Sequence, residues 1–176
     1  MEKRNLYDKS KKQTQETILA TEETPENRYI LVVLALIENS QKEILVQKRS
    51  KQKGGKYGLT AGHPKIGENS LQGIVSEIKE ELGVDVEPEE LKLVHSERND
   101  SDRCFYDLYY LPKDYQISEM NLQAEEVESV MWCSQEEIND LCSKGEFKTS
   151  HIEAFETIMK KIGGWYYAIN STMGCK

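Results

Sequence analysis

Residues 29–37 read YILVVLALI, nine apolar side chains in a row and rich in β-branched types. A strand with one wet face alternates apolar and polar residues, and this run does not. It therefore needs cover on both faces, which means a sheet with helices on either side rather than an open antiparallel sheet. It is also far too short to span a bilayer. KEILVQKRS reads as the next strand, with ENSQ as the turn between them and KQKGGKYG as a following loop. Further strands are expected at 91–97, at CFYDLYYL (104–111) and at VESVMW (127–132). SQEEINDLCSKG and SHIEAFETIMKKIGG are punctuated as helices by a leading serine and a closing glycine.

The clearest helix is residues 70–82. Leu71, Ile74, Val75, Ile78 and Leu82 make one apolar face. Asn69 or Ser70 can cap its start, and Gly83 stands where a C-terminal glycine belongs. The interspersed strands and helices indicate an α/β sandwich with a mixed sheet. Residues 1–27 are expected to form an N-terminal arm or hairpin and residues 28–162 the main domain. The tail 163–176, aromatic and then polar, either folds back on the domain or makes a homodimer contact.

The 176 residues are enough for one domain with a full core. The net charge of −8 argues against a nucleic-acid or anionic-membrane binder, both of which need a basic surface. It leaves room for an anionic small molecule, because a divalent cation inverts the local field. Cys104, Cys133, Cys142 and Cys175 form no C-x-x-C pair and read as free thiols. The N-terminal segment is basic without an apolar core, so it is no signal peptide, and a cytoplasmic location is expected.

The helix carries Glu77, Glu80 and Glu81 at i, i+3 and i+4. All three project from one flank, roughly 120° from the apolar stripe at ~100° per residue. Like charges at this spacing oppose one another, and glutamates near a helix C-terminus oppose its dipole. Stability alone does not select this arrangement. Hard oxygen ligands so placed suit Mg²⁺ or Mn²⁺, which keep substrate phosphates as their remaining ligands.

The stretch GHPKIGENSLQGIVSEIKEELGV resembles the Nudix box, G-x5-E-x7-R-E-U-x-E-E-x-G-U, where U is a bulky aliphatic residue. Gly62, Glu68, Glu77, Ile78, Glu80, Glu81, Gly83 and Val84 fall at the required spacing. The one departure is Ser76, where the family carries arginine. The resemblance covers about residues 28 to 162 and includes the preceding EILVQKRS, the TAG entry and EEVESVMW.

The resemblance implies a Nudix-type α/β/α sandwich with a mixed β-sheet. It implies hydrolysis of a nucleoside diphosphate linked to another moiety X, with Mg²⁺ or Mn²⁺ held by Glu77, Glu80, Glu81 and the Ala61 main-chain carbonyl. Glu68 buttresses the loop, and Gly62 and Ser76 support the site. Glu125, Glu126 and Glu128 are candidate general bases. Ser76 cannot replace a bidentate guanidinium, which leaves the cluster more negative and implies a weaker or differently tuned hydrolase. A nucleotide-binding protein with little or no turnover is the alternative.

AGHPKIGE is also similar to a segment of isopentenyl-diphosphate isomerases. Those enzymes place a catalytic cysteine where this chain has Ala61, and several histidine ligands where residues 1–62 contain none. For stacking on a base, the aromatic candidates are Tyr57, Phe105, Tyr106, Tyr109 and Tyr110. Alternation puts Phe105, Asp107 and Tyr109 on one strand face and Tyr106, Leu108 and Tyr110 on the other, one of them core.

Overall fold

A computed structural model describes residues 2–163. The chain opens with a hairpin of β1 (Lys3–Tyr7) and β2 (Gln13–Leu19). Then follow β3 (Ile30–Glu38), β4 (Ile44–Arg49), β5 (Tyr57–Gly58), β6 (Thr60–Gly62), α1 (Ser70–Leu82), β7 (Lys92–Asn99), β8 (Cys104–Pro112), β9 (Val127–Cys133), α2 (Gln135–Ser143) and α3 (Thr149–Lys161). The tail from residue 164 on, with its dimer-contact reading and Cys175, lies outside the described residues.

The main sheet is mixed. β3 lies parallel to β8 over its whole length, and β7 and β8 are antiparallel. β4 is antiparallel to both β5 and β9. The apolar run is covered on both faces, as its composition requires. Leu31, Val33, Ala35 and Ile37 pack with Ile74, Ile78 and Leu82 of α1. Leu34 and Leu36 pack on the other side with Ile138 of α2 and Phe155 and Ile158 of α3.

Both faces of β8 are filled as well: Phe105 and Tyr109 join the α1 side, and Leu108 joins the α2–α3 side with Tyr106 and Tyr110. Phe105 and Tyr109 are therefore buried in the core, while Tyr106 and Tyr110 on the other face are only half-buried. Tyr106 alone among the aromatic candidates lines the principal cavity.

Two features of the sheet position the site. β3 and β4 pair only where they meet, at Glu38 and Ile44, and then diverge. β6, which the sequence marked only as a glycine-containing entry to the helix, fills the side of β3, pairing Leu34 with Ala61 and Val33 with Gly62. Second, the hairpin is tied to the core by paired backbone bonds between Tyr7 and Tyr29. It is tied again by Lys11, whose ammonium meets the buried Asp107 carboxylate. Asp107 also accepts from Ser70 Oγ at the start of α1 (2.5 Å), so one buried network joins hairpin, sheet and helix.

Candidate active site

Asn69 caps α1 through a reciprocal pair of bonds with Gln72, and Gly83 ends the helix in the left-handed conformation. The three glutamates thus have fixed positions, and all three line one cavity of about 440 Å³. Their burial is graded rather than uniform. Glu81 is 3% exposed, Glu77 is half-buried and Glu80 is exposed.

Glu77 lies against the main chain of Gly62. A Cβ there would stand 2.1 Å from the Glu77 carboxyl carbon. The backbone N–H of His63 donates to Glu77 Oε1 at 3.0 Å. A side chain at the first glycine of the motif would therefore displace the Glu77 carboxylate from the place where the His63 N–H holds it. Glu81 sits where β3 and β4 diverge. It accepts from Gln47 Nε2 at 2.9 Å, and Gln47 in turn accepts from Thr60 Oγ1 at 3.3 Å. Burial first, and then the charge of Glu81, push Glu77 up to about 8. Burial pushes Glu81 up to about 7, against the lowering effect of Gln47. Neither carboxylate has a lysine or arginine partner among the described residues.

Glu80 pairs instead with Lys65, and no three potential ligand side chains converge among the described residues. That pair is largely exposed, so releasing it costs no more than ~1 kcal/mol. The donor set fits a hard divalent cation: two carboxylates without cationic partners in one cavity, a third within reach, and Ala61 on the same lining.

Glu68 accepts from the Lys65 N–H at 2.8 Å. Ser76 Oγ donates to its other oxygen at 2.6 Å. Serine thus takes up the glutamate of the loop rather than those of the cluster. Asn5 of the hairpin donates to the Lys65 carbonyl, fixing the loop from outside (2.9 Å). Of the three candidate bases, only Glu126 lines the cavity, and it pairs with Lys53 at 2.5 Å. Glu125 is exposed, and Glu128 is held by Lys48 at 2.7 Å.

The structure adds residues that motif reading missed. Gln47 left a signal, a polar residue inside an apolar strand. Arg4, Lys148 and His151 left none, because they reach the cavity from β1 and from the start of α3. His151 is 3% exposed and accepts from the Leu59 N–H through Nδ1 (3.0 Å), so its proton is on Nε2. Burial and the charge of Lys148 lower it from 6.5 to about 3. His63 is lowered to about 4, by burial and by Arg4, against the raising effect of its bond to the Leu31 carbonyl.

For a depressed histidine the unfolded chain binds the proton more tightly. Stability is then lost as pH falls below 6.5 toward the folded value, by at most ~1.4 kcal/mol per pH unit for one group. Replacing His151 by Gln should flatten the acid limb of a melting-temperature profile between pH 6.5 and 4. An unchanged slope would show that this ring does not carry the acid sensitivity.

Among the described residues no thiol stands at the isomerase position: Ala61 occupies it, Cys104 and Cys133 are buried, and Cys142 of α2 is half-buried against the core.

Residues 28–156 match the family model described as the NUDIX domain. Over 151 residues the chain is 32% identical to the uncharacterized Nudix hydrolase lin0387 of Listeria innocua, covering 84% of this chain and 88% of that protein. It is 31% identical over 111 residues to the CTP pyrophosphohydrolase of Escherichia coli, covering 62% of this chain and 79% of that one. Among solved structures, DR0079 from Deinococcus radiodurans shares the fold, with a TM-score of 0.72 at 20% identity over 89% of this chain and 99% of that one. Among the described residues no helix is long and apolar enough to cross a membrane.

Proposed function

The chain belongs to the Nudix family of hydrolases, and from that premise we propose that it cleaves the pyrophosphate bond of a nucleoside diphosphate linked to X, dependent on Mg²⁺ or Mn²⁺. The observation that carries this reading is the pair Glu77 and Glu81, facing one cavity without a cationic partner among the described residues. A carboxylate pair so placed opposes folding unless something positive binds it.

Glu77, Glu81, Glu80 and the Ala61 carbonyl would hold the cation. When bound, it supplies charge neutralisation of phosphate oxygens and a more acidic water. The chain's own contribution is positional. Gly62 and the His63 N–H fix Glu77, Gln47 fixes Glu81, and Glu68 with Ser76 holds the loop between them. Glu126 is the candidate to accept the proton of the attacking water, once Lys53 yields it. Water attacks one phosphorus, and the bond from that same phosphorus to the bridging oxygen breaks. The attacked phosphate keeps the water oxygen, and the other phosphate leaves with the bridging oxygen as its free end.

The reading is tested by product release from nucleoside-diphosphate-linked compounds with Mg²⁺ and with Mn²⁺. Absence of turnover on all of them, with folded protein, would leave the binding-only alternative. Ser76 tunes the site through Glu68. Ser76→Ala removes a hydrogen bond to a charged group, worth ~1.5–3 kcal/mol, and should raise the Mg²⁺ requirement about tenfold. Ser76→Arg should raise kcat/KM several-fold. Unchanged activity and Mg²⁺ affinity in both variants would show that this position does not tune the enzyme.

A further inference from the structure

The cavity is lined by five carboxylates and five lysine or arginine side chains. Lys65 is taken up by Glu80 and Lys53 by Glu126. Arg4 approaches Glu2 only at 3.9 Å, and its buried Nε makes no hydrogen bond to the described residues. Arg49 and Lys148 have no carboxylate within ion-pair distance among the described residues. With Glu77 and Glu81 balanced by a divalent cation, the lining is left with a positive surplus in a chain of net charge −8.

Arg4 and Lys148 are not loose surface groups. Arg4 stands on β1 beside Asn5, whose side chain is bonded to the loop after Gly62. Lys148 is half-buried, and its N–H donates to the Tyr57 carbonyl at 2.9 Å where α3 begins. Burial, and Arg49 beside it, hold its ammonium below the usual lysine range. Arg4 and Lys148 both line the cavity that holds Glu77 and Glu81. His151, neutral and protonated on Nε2, adds an uncharged donor to the same lining. Backbone-anchored cations and an uncharged donor suit an anion's oxygens, whereas an uncharged sugar would leave the half-buried charges unmatched.

We propose that Arg4 and Lys148 form a subsite for a second anionic group, so that the preferred substrate carries X as phosphate or pyrophosphate, as in a nucleoside triphosphate, rather than as an uncharged sugar. This rests on the hydrolase reading above and names the substrate class for it.

The test separates the two. Binding is measured by calorimetry with Mg²⁺ for α,β-methylene ATP, α,β-methylene CTP and α,β-methylene ADP-ribose. The proteins are wild type, Arg4→Gln, Lys148→Gln and Lys148→Arg, each checked for an unchanged melting curve. Wild type should bind the better triphosphate analogue more tightly than the sugar analogue. Each Gln variant should lose about 10–100-fold for the triphosphate, the size of one charge-assisted bond, and under about threefold for the sugar analogue. Lys148→Arg should keep most of the affinity. Equal losses on both ligand classes, no loss on either, or wild type that binds no triphosphate analogue would each overturn the subsite. Hydrolysis of the parent compounds is scored separately: wild type that binds triphosphate selectively but hydrolyses nothing keeps the subsite and sinks the hydrolase reading.

Discussion

Glu77→Gln should lower kcat/KM by about a thousandfold while raising the melting temperature of the metal-free protein above pH 8. The first effect follows from removing a charged ligand, several kcal/mol at ~1.4 kcal/mol per factor of ten. The second follows from the position of the side chain. Glutamine keeps an acceptor for the His63 N–H and removes a charge that burial and Glu81 both oppose. A carboxyl raised from 4.5 to about 8 binds its proton more tightly in the folded chain, so the folded state loses stability as pH rises through that window. Below pH 5 wild type and variant should therefore melt alike, and above pH 8 the variant should melt higher in chelator. Adding Mg²⁺ should raise the wild-type melting temperature and leave that of the variant nearly unmoved. Turnover within tenfold of wild type would remove Glu77 from the site. A lower melting temperature at pH 9 would show that its charge is not opposed by its surroundings.

Gly62→Ala should be nearly as damaging to activity, through crowding alone. The added methyl would lie 2.1 to 2.3 Å from the carboxyl atoms of Glu77, so the carboxylate must leave the His63 N–H. The atoms met are the end of a flexible side chain, so the fold should tolerate the change, but the misplaced carboxylate should reduce kcat/KM about a hundredfold or more. Weakened Mg²⁺ binding measured by calorimetry is the second readout. A variant with wild-type Mg²⁺ affinity would show that Glu77 need not rest against this glycine.

The helix over 70–82 was legible to the residue, because a 3.6-residue apolar period, an Asn69 cap and a terminal Gly83 agree with one another. The cover on both faces of β3 was legible from its unbroken apolar run. The spacing of the acidic cluster was legible too, and it placed all three glutamates on one cavity. Their differing burial was not. It depends on the divergence of β3 and β4 and on Gln47, a strand away, reaching Glu81. The same limit left open which aromatic face of β8 is core: alternation names two faces, and only the packing of α1 shows that Phe105 and Tyr109 are the buried ones.

The sequence by itself determined the sheet with helices on both sides and the acidic helix. These rest on interactions between residues close along the chain or on a single repeating period. Only the tertiary structure decided which of Glu125, Glu126 and Glu128 meets the cavity, that Ser76 holds Glu68, and that Arg4 and Lys148 line the same cavity as the glutamates. Arg4 and Lys148 are separated by most of the chain, and no local pattern links them. Their meeting is fixed by the hairpin bonding to the loop after Gly62 and by α3 starting against Tyr57.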